Sequence, residues 1–120
     1  IELAAIDSIA SSLGAKKVSE EAFLGAQRHN IDCIAVTDLG AVKACRRFLT
    51  DHRVLVEPAC GGALVWAYKD DSLRLRNQTT LIIVCSGATT TPIQLKHWEQ
   101  SLERFQFNRD HGESGLKRSK

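Results

Sequence analysis

The sequence predicts an α/β fold, a Rossmann-like parallel three-stranded layer with flanking helices. Three observations point to it. Helical and extended patterns alternate along the 120 residues in the order αβαβαβα. The segment Thr80 to Cys85 is apolar on both faces, as expected of a parallel strand covered by helices on each side. Two apolar runs, LVEPACGGAL (Leu55 to Leu64) and LIIVCSGAT (Leu81 to Thr89), each break into small residues. The carboxyl ends of strands are where open α/β sheets bind ligands.

The elements follow in order. Asp7 is read as the cap of a short helix, Ser8 to Leu13, with Gly14 as its left-handed stop. Ser19 is a good N-cap, and Glu20 and Glu21 sit where the helix dipole favours acids. That helix runs to about His29 with Ala22, Phe23 and Ala26 on its apolar face. Ile31 to Thr37 reads as a strand, and Asp38 as the cap of a helix from Leu39 to Leu49. Val54 to Val56 is a short buried strand. Pro58 starts the next helix, because its missing N–H is harmless at the first position. Ala63 to Tyr68 continue that helix, and the charged stretch Lys69 to Gln78 prolongs it before the chain turns back. After the strand Thr80 to Cys85, Gly87 is a break. Thr91, Pro92 and Gln94 then form a capping box opening a helix to about Phe105. Three strands leave two sheet edges, so further strands are expected from an upstream segment or another chain.

Size and composition bound the function. The chain is one domain at most, and its apolar and charged fractions are ordinary for a soluble protein. No apolar run approaches the ~20 residues needed to cross a membrane. The N-terminus IELAAIDSIA carries acids rather than a basic flank and apolar stretch, so it does not read as a secretory signal. The net charge of +2 sits in the tail from Arg109 onward, and the rest of the chain is balanced, which argues against nucleic-acid binding. Methionine is absent and Ile1 is first, so Ile1 is not expected to be the translation start. The four cysteines, Cys33, Cys45, Cys60 and Cys85, have no metal-like spacing. Cys33 and Cys45 are expected to be buried, and the pattern fits a reducing, cytoplasmic compartment. Asn77-Gln78-Thr79 matches a glycosylation sequon, taken as chance without a secretion signal.

The chemistry gathers at the strand ends. Asp38, Glu57 and Cys85 follow three parallel strands and so share one rim of the layer. A nucleophilic thiol needs a base or a positive neighbour. None is local to Cys85, since the nearest histidine, His97, lies on the following helix. Cys85 therefore reads as a binding residue or as a small core residue. Gly61 and Gly62 allow a close backbone approach, either to a ligand or in packing.

The segments Val56-Glu57-Pro58-Ala59-Cys60-Gly61, Val84-Cys85-Ser86-Gly87 and Ile6 to Val18 carry a resemblance that spans Ile6 to about Leu102. Together, in this order and at this separation, they resemble the C-terminal portion of the pyridoxal-phosphate (PLP) dependent L-serine/L-threonine dehydratases. The resemblance implies the large domain of a PLP fold-type II enzyme over residues 1–107, while residues 108–120 read from their polar composition as a flexible tail. It implies that Cys85 faces the pyridine nitrogen of PLP, with Gly61, Ser86 and Gly87 beside the cofactor. A weak thiol donor leaves that nitrogen neutral, and the protein tunes the cofactor through this contact. The main-chain carbonyls of Leu13 and Ala15 match positions that bind a monovalent cation such as potassium. Ser12 matches a position near the substrate that is usually Ala.

The implied reaction is β-elimination. The amino acid displaces the enzyme lysine from PLP, a base removes the α-proton and the β-hydroxyl leaves. Pyruvate or 2-oxobutanoate is released with ammonia. The sequence departs from the pattern at Ser86, usually a second Gly, and at Ala88, usually Ser or Asn. The Schiff-base lysine is expected upstream, so no catalytic residue is assigned in this chain. Lys16, Lys17, Lys43, Lys69 and Lys96 lack its Ser-x-Lys context. The implied partners are the N-terminal portion of the same enzyme, a small amino-acid substrate and a second copy in a homodimer of the complete enzyme. Two alternatives stand beside this reading. One is another PLP fold-type II activity, a racemase or β-replacement enzyme. The other is a non-catalytic truncated relative acting as an interaction module.

Overall fold

A computed structural model describes residues 1–69 and 79–112. A 3-10 turn, Ser11–Leu13, is followed by four helices: α1 (Glu20–Arg28), α2 (Asp38–His52), α3 (Pro58–Tyr68) and α4 (Pro92–Gly112). Helix α2 is the centre of the packing, with α3 and α4 against it. The core is Val42 and Cys45 of α2, Val56, Cys60 and Leu64 around α3, and Leu95 of α4.

Where local chemistry starts a helix, the sequence pattern holds. The Ser19 hydroxyl accepts from Ala22 N–H, with Glu20 and Glu21 in the first turn of α1. Pro58 is the first residue of α3. At α4 the capping box forms: Thr91 Oγ1 accepts from Gln94 N–H at 3.2 Å, and Gln94 Oε1 accepts from Thr91 N–H at 3.0 Å.

Several elements differ from expectation. Ser8 to Ala10 are not helical; only the turn Ser11–Leu13 forms, and Gly14 has φ −77°, outside the left-handed region. Thr37 caps α2, its Oγ1 accepting from Gly40 N–H, and Asp38 is the first helical residue. The carboxylate of Asp38 turns outward to Ser8 Oγ at 2.7 Å and Ile9 N–H at 3.1 Å. Helix α2 runs on to His52 and closes on Arg53 in the left-handed conformation (φ 59°). That conformation is disfavoured for a residue with a Cβ. The Arg53 guanidinium donates to the Thr50 carbonyl and helps satisfy the open helix end.

Helix α4 extends past Phe105 to Gly112. No proline interrupts residues 106–112, and Arg109 and His111 in the last turn complement the helix dipole. The ring of His111 also stacks on Phe107. Helix α1 buries none of its residues, and Phe23 stays exposed. The stretch expected to prolong α3 lies outside the described residues except for Lys69, where the backbone has already left the helix.

The expected three-stranded layer does not appear as a ladder: among the described residues no strand forms. Ile31 to Thr37, Val54 to Val56 and Thr80 to Cys85 are non-helical, as expected. A parallel ladder needs bonds repeated along both strands. Here a single backbone bond, Glu57 N–H to Ser86 O at 3.2 Å, joins the second and third segments just beyond their ends. Ile82 and Val84 pack on the core while Leu81 and Ile83 face outward. This is a strand's two-residue alternation with one face covered. Ile31, Ile34 and Val36 are exposed in the same way. Cys45 and Cys60 are buried as small hydrophobes, whereas Cys33, expected inside a covered strand, is exposed with its uncovered segment.

Candidate functional site

Glu57 ends the short apolar segment before α3 and occupies the N-cap position of that helix. Its side chain makes no capping bond to α3. It accepts from hydroxyls of two other segments instead. Ser12 Oγ donates to Oε1 at 2.5 Å, and Thr89 Oγ1 donates to Oε2 at 2.8 Å. The Ser86 side chain adds a further hydroxyl that lowers the pKa of the same carboxylate. Glu57 is 5% exposed, and a buried carboxylate requires such partners. The bond from Ser12, followed by those from Ser86 and Thr89, holds the carboxyl below its ordinary range, against the opposing effect of burial.

The main chain of Glu57 is equally committed. Its N–H donates to Ser86 O, and its carbonyl accepts from Gly61 N–H and from the Cys45 thiol. Ser86 O also accepts from the Cys60 thiol at 3.4 Å. Burial pushes the Cys45 thiol up to about 11, so this thiol is a protonated donor at neutral pH.

Beside this cluster lies a cavity of about 180 Å³, lined in part by Ile9, Ser12, Glu57, Thr89, Gln94 and Trp98. Asp38 holds Ser8 and Ile9, and Glu57 holds Ser12, so two of the three predicted rim residues secure the same N-terminal segment. Cys85 is exposed, next to Ser86, and among the described residues its thiol has no hydrogen-bond partner. It does not line the cavity.

The two candidate glycines have packing roles here. A Cβ on Gly61 would lie 2.2 Å from Ala41 O and 2.6 Å from Cys45 Sγ, so Gly61 is the close contact between α2 and α3. A Cβ on Gly87 would lie 2.2 Å from Leu55 O, which sets the loop after Cys85 against the segment before α3. Leu13 and Ala15 flank Gly14 in the turn that carries Ser12, and the Leu13 carbonyl accepts from Ala15 N–H. Among the described residues no group of three or more His, Cys, Asp or Glu side chains could hold a metal ion. That leaves a carbonyl site untouched, because such a site depends on main-chain shape. Among the described residues no helix is long and apolar enough to cross a membrane.

The structure thus brings together Ser12, Glu57, Ser86 and Thr89. Sequence reasoning read Glu57 and Ser86 within two motifs but named no partner for the carboxylate, and it did not single out Thr89. The available signal was a Glu-Pro pair at a strand end with hydroxyl residues in the two flanking motifs. Ser12 and Ser86, two departures from the resembled pattern, both serve this one carboxylate.

A depressed carboxyl pKa has a direct consequence for stability. The folded state favours the ionised form, so its contribution is present above the ordinary carboxylate value of 4.5 and is lost as pH falls through the lower folded value. The urea midpoint should therefore drop on acidification below that value. Glu57→Gln should lower the midpoint at neutral pH and shrink its acid dependence. An equal acid dependence in both proteins would contradict the role given to this carboxylate.

The model of the pyridoxal-phosphate dependent enzyme family matches residues 1–87. The chain is 36% identical over 107 residues to L-serine dehydratase of Dictyostelium discoideum, covering 87% of this chain and 31% of that protein. It is 34% identical over 110 residues to L-serine dehydratase/L-threonine deaminase of Homo sapiens, covering 85% and 34%. It is 36% identical over 110 residues to a serine dehydratase-like protein of Rattus norvegicus, covering 85% and 33%. The chain therefore spans about a third of the length of the curated relatives it matches.

Proposed function

The chain belongs to the pyridoxal-phosphate dependent enzyme family, and from that premise we propose that it forms the pyridine-side part of an L-serine/L-threonine dehydratase. The complete enzyme converts serine to pyruvate, or threonine to 2-oxobutanoate, with ammonia as the second product. The observation that carries this reading is the exposed Cys85 thiol, which has no partner among the described residues and sits on a loop fastened through Ser86 to Glu57. Its donor chemistry fits the edge of the cofactor that the resemblance assigns to it.

PLP, when bound, supplies the electron sink for removal of the α-proton and loss of the β-hydroxyl. The residues of this chain hold and orient. Cys85 offers a weak donor to the ring nitrogen, Ser86 and Gly87 place it, and Gly61 fixes α3 beneath Glu57. The carbonyls of Leu13 and Ala15 take a monovalent cation such as potassium. Among the described lysines none lines the cavity; Lys43 pairs with Glu103 and Lys69 lies over Trp66. In this reading, as the resemblance implies, the Schiff-base lysine is supplied by the N-terminal portion of the enzyme.

That portion also completes the fold-type II sheet. It pairs with the unpaired segments and covers Ile31, Ile34, Val36, Leu81 and Ile83, which are exposed here. Residues 1–107 are the C-terminal part of the large domain, in a cytoplasmic homodimer, and of the polar residues 108–120 expected as a tail, 108–112 continue helix α4.

The test is to express the chain together with the portion of the Dictyostelium enzyme that it does not match. Keto acid released from serine or threonine by the pair, and by neither piece alone, is the expected result. Among the described residues no lysine stands at the cluster, which favours one other reading, a module that binds through these faces without catalysis. A tight pair that takes up no PLP and releases no keto acid would select it.

A further inference from the structure

Glu57 is the point at which the molecule's separate segments meet. Its carboxylate takes Ser12 from the N-terminal turn and both Ser86 and Thr89 from the loop after Cys85. Its main chain bonds to Ser86, Cys45 and Gly61. Ser12 lies beside Leu13 in the turn closed by Leu13 N–H to Ala10 O and Gly14 N–H to Ser11 O. The loop on the other side is closed by Thr90 N–H to Gly87 O, with Thr90 buried. Among the described hydrogen bonds, Ser12 reaches the Cys85 loop only by way of this carboxylate.

We propose that Glu57 is a positioning residue that couples the turn carrying Leu13 and Ala15 to the loop carrying Cys85. Ordering of either segment thereby orders the other, and the coupling is reciprocal. A carboxylate is suited to this because it presents several acceptor sites and is never a donor when ionised. Three hydroxyls can then share it without competing for one direction. Ser12 is exposed and its bond to Glu57 is only part-buried, so the turn can open and close at this bond. The functional meaning of the coupling, a cation at the turn felt at the pyridine edge, rests on the reading under Proposed function.

The test is amide hydrogen exchange on the full 120-residue chain, without cofactor or upstream portion. Its outcome is therefore independent of whether the chain serves a dehydratase. Ser12→Ala should raise exchange at Thr90 and Glu57 at least about tenfold, the loss expected of one part-buried hydrogen bond to a charged acceptor. Ser12→Thr keeps the hydroxyl and should restore the native rate. Reciprocally, Thr89→Val should raise exchange at Leu13 and Gly14. Amides of Ala44 and Cys45 in α2 serve as the reference and should not change. Unchanged exchange at Thr90 in Ser12→Ala would overturn the proposal. So would a rise at every amide including Ala44 and Cys45, which would mean simple loss of stability.

Discussion

Gly61→Ala is expected to destabilise the chain by about 2–3 kcal/mol, the cost of overpacking a filled contact. The added Cβ would sit 2.2 Å from the Ala41 carbonyl oxygen, 2.9 Å from its carbon and 2.6 Å from Cys45 Sγ. Two of these atoms belong to the α2 backbone, so no side chain can swing away to relieve the clash. Alanine's better helix propensity returns only about 1 kcal/mol. Helices α2 and α3 must separate along the face that buries Val42, Cys45, Cys60 and Leu64. The neighbouring glycine is the control. A Cβ on Gly62 would meet Leu13 and Val36 side chains at 3.6 and 3.7 Å, an ordinary contact, so Gly62→Ala should be neutral or slightly stabilising. Urea midpoints of the two variants check this. Equal midpoints would show that the α2–α3 contact is looser than described.

Gly87→Ala is expected to act on the site itself. Its Cβ would lie 2.2 Å from Leu55 O and 3.2 Å from Val56 Cα, again backbone that cannot turn aside. The loop must move away from the segment before α3. The first bonds strained are Glu57 N–H to Ser86 O and the Cys60 thiol to the same oxygen. Because Ser86 follows Cys85 directly, the thiol moves with it. In the chain paired with the upstream portion of a serine dehydratase, PLP binding should weaken about tenfold, equivalent to one lost contact of about 1.4 kcal/mol. PLP titration by absorbance measures this. Unchanged binding would mean that the Cys85 loop does not position the cofactor.

The parts of the fold legible in the sequence were those decided within a few residues. Ser19, Pro58 and the Thr91–Gln94 box announce helix starts because their bonds are local. Asp38 misled because its carboxylate is used by Ser8 and Ile9, about thirty positions away, leaving the cap to Thr37. The strand patterns were visible, and Ile82 and Val84 alternate with Leu81 and Ile83 as a strand would. Pairing is a property of neighbours, and a pattern along one chain does not supply them.

The site divides the same way. The motifs around Glu57 and Cys85 were readable, whereas the convergence of Ser12, Ser86 and Thr89 on one carboxylate joins residues far apart in sequence. Gly61 was weighed between a ligand contact and packing, and its distance to Ala41 O displays the packing role.

The central claim is a division of labour, with this chain supplying the pyridine side of a PLP site and another portion supplying the lysine. The most direct measurement is borohydride reduction of the paired protein with PLP, followed by peptide mapping. The account predicts the reduced cofactor on a lysine of the upstream portion and none on Lys16, Lys17, Lys43, Lys69 or Lys96. Cofactor fixed to one of those five lysines, or a stable pair that fixes none, would contradict it.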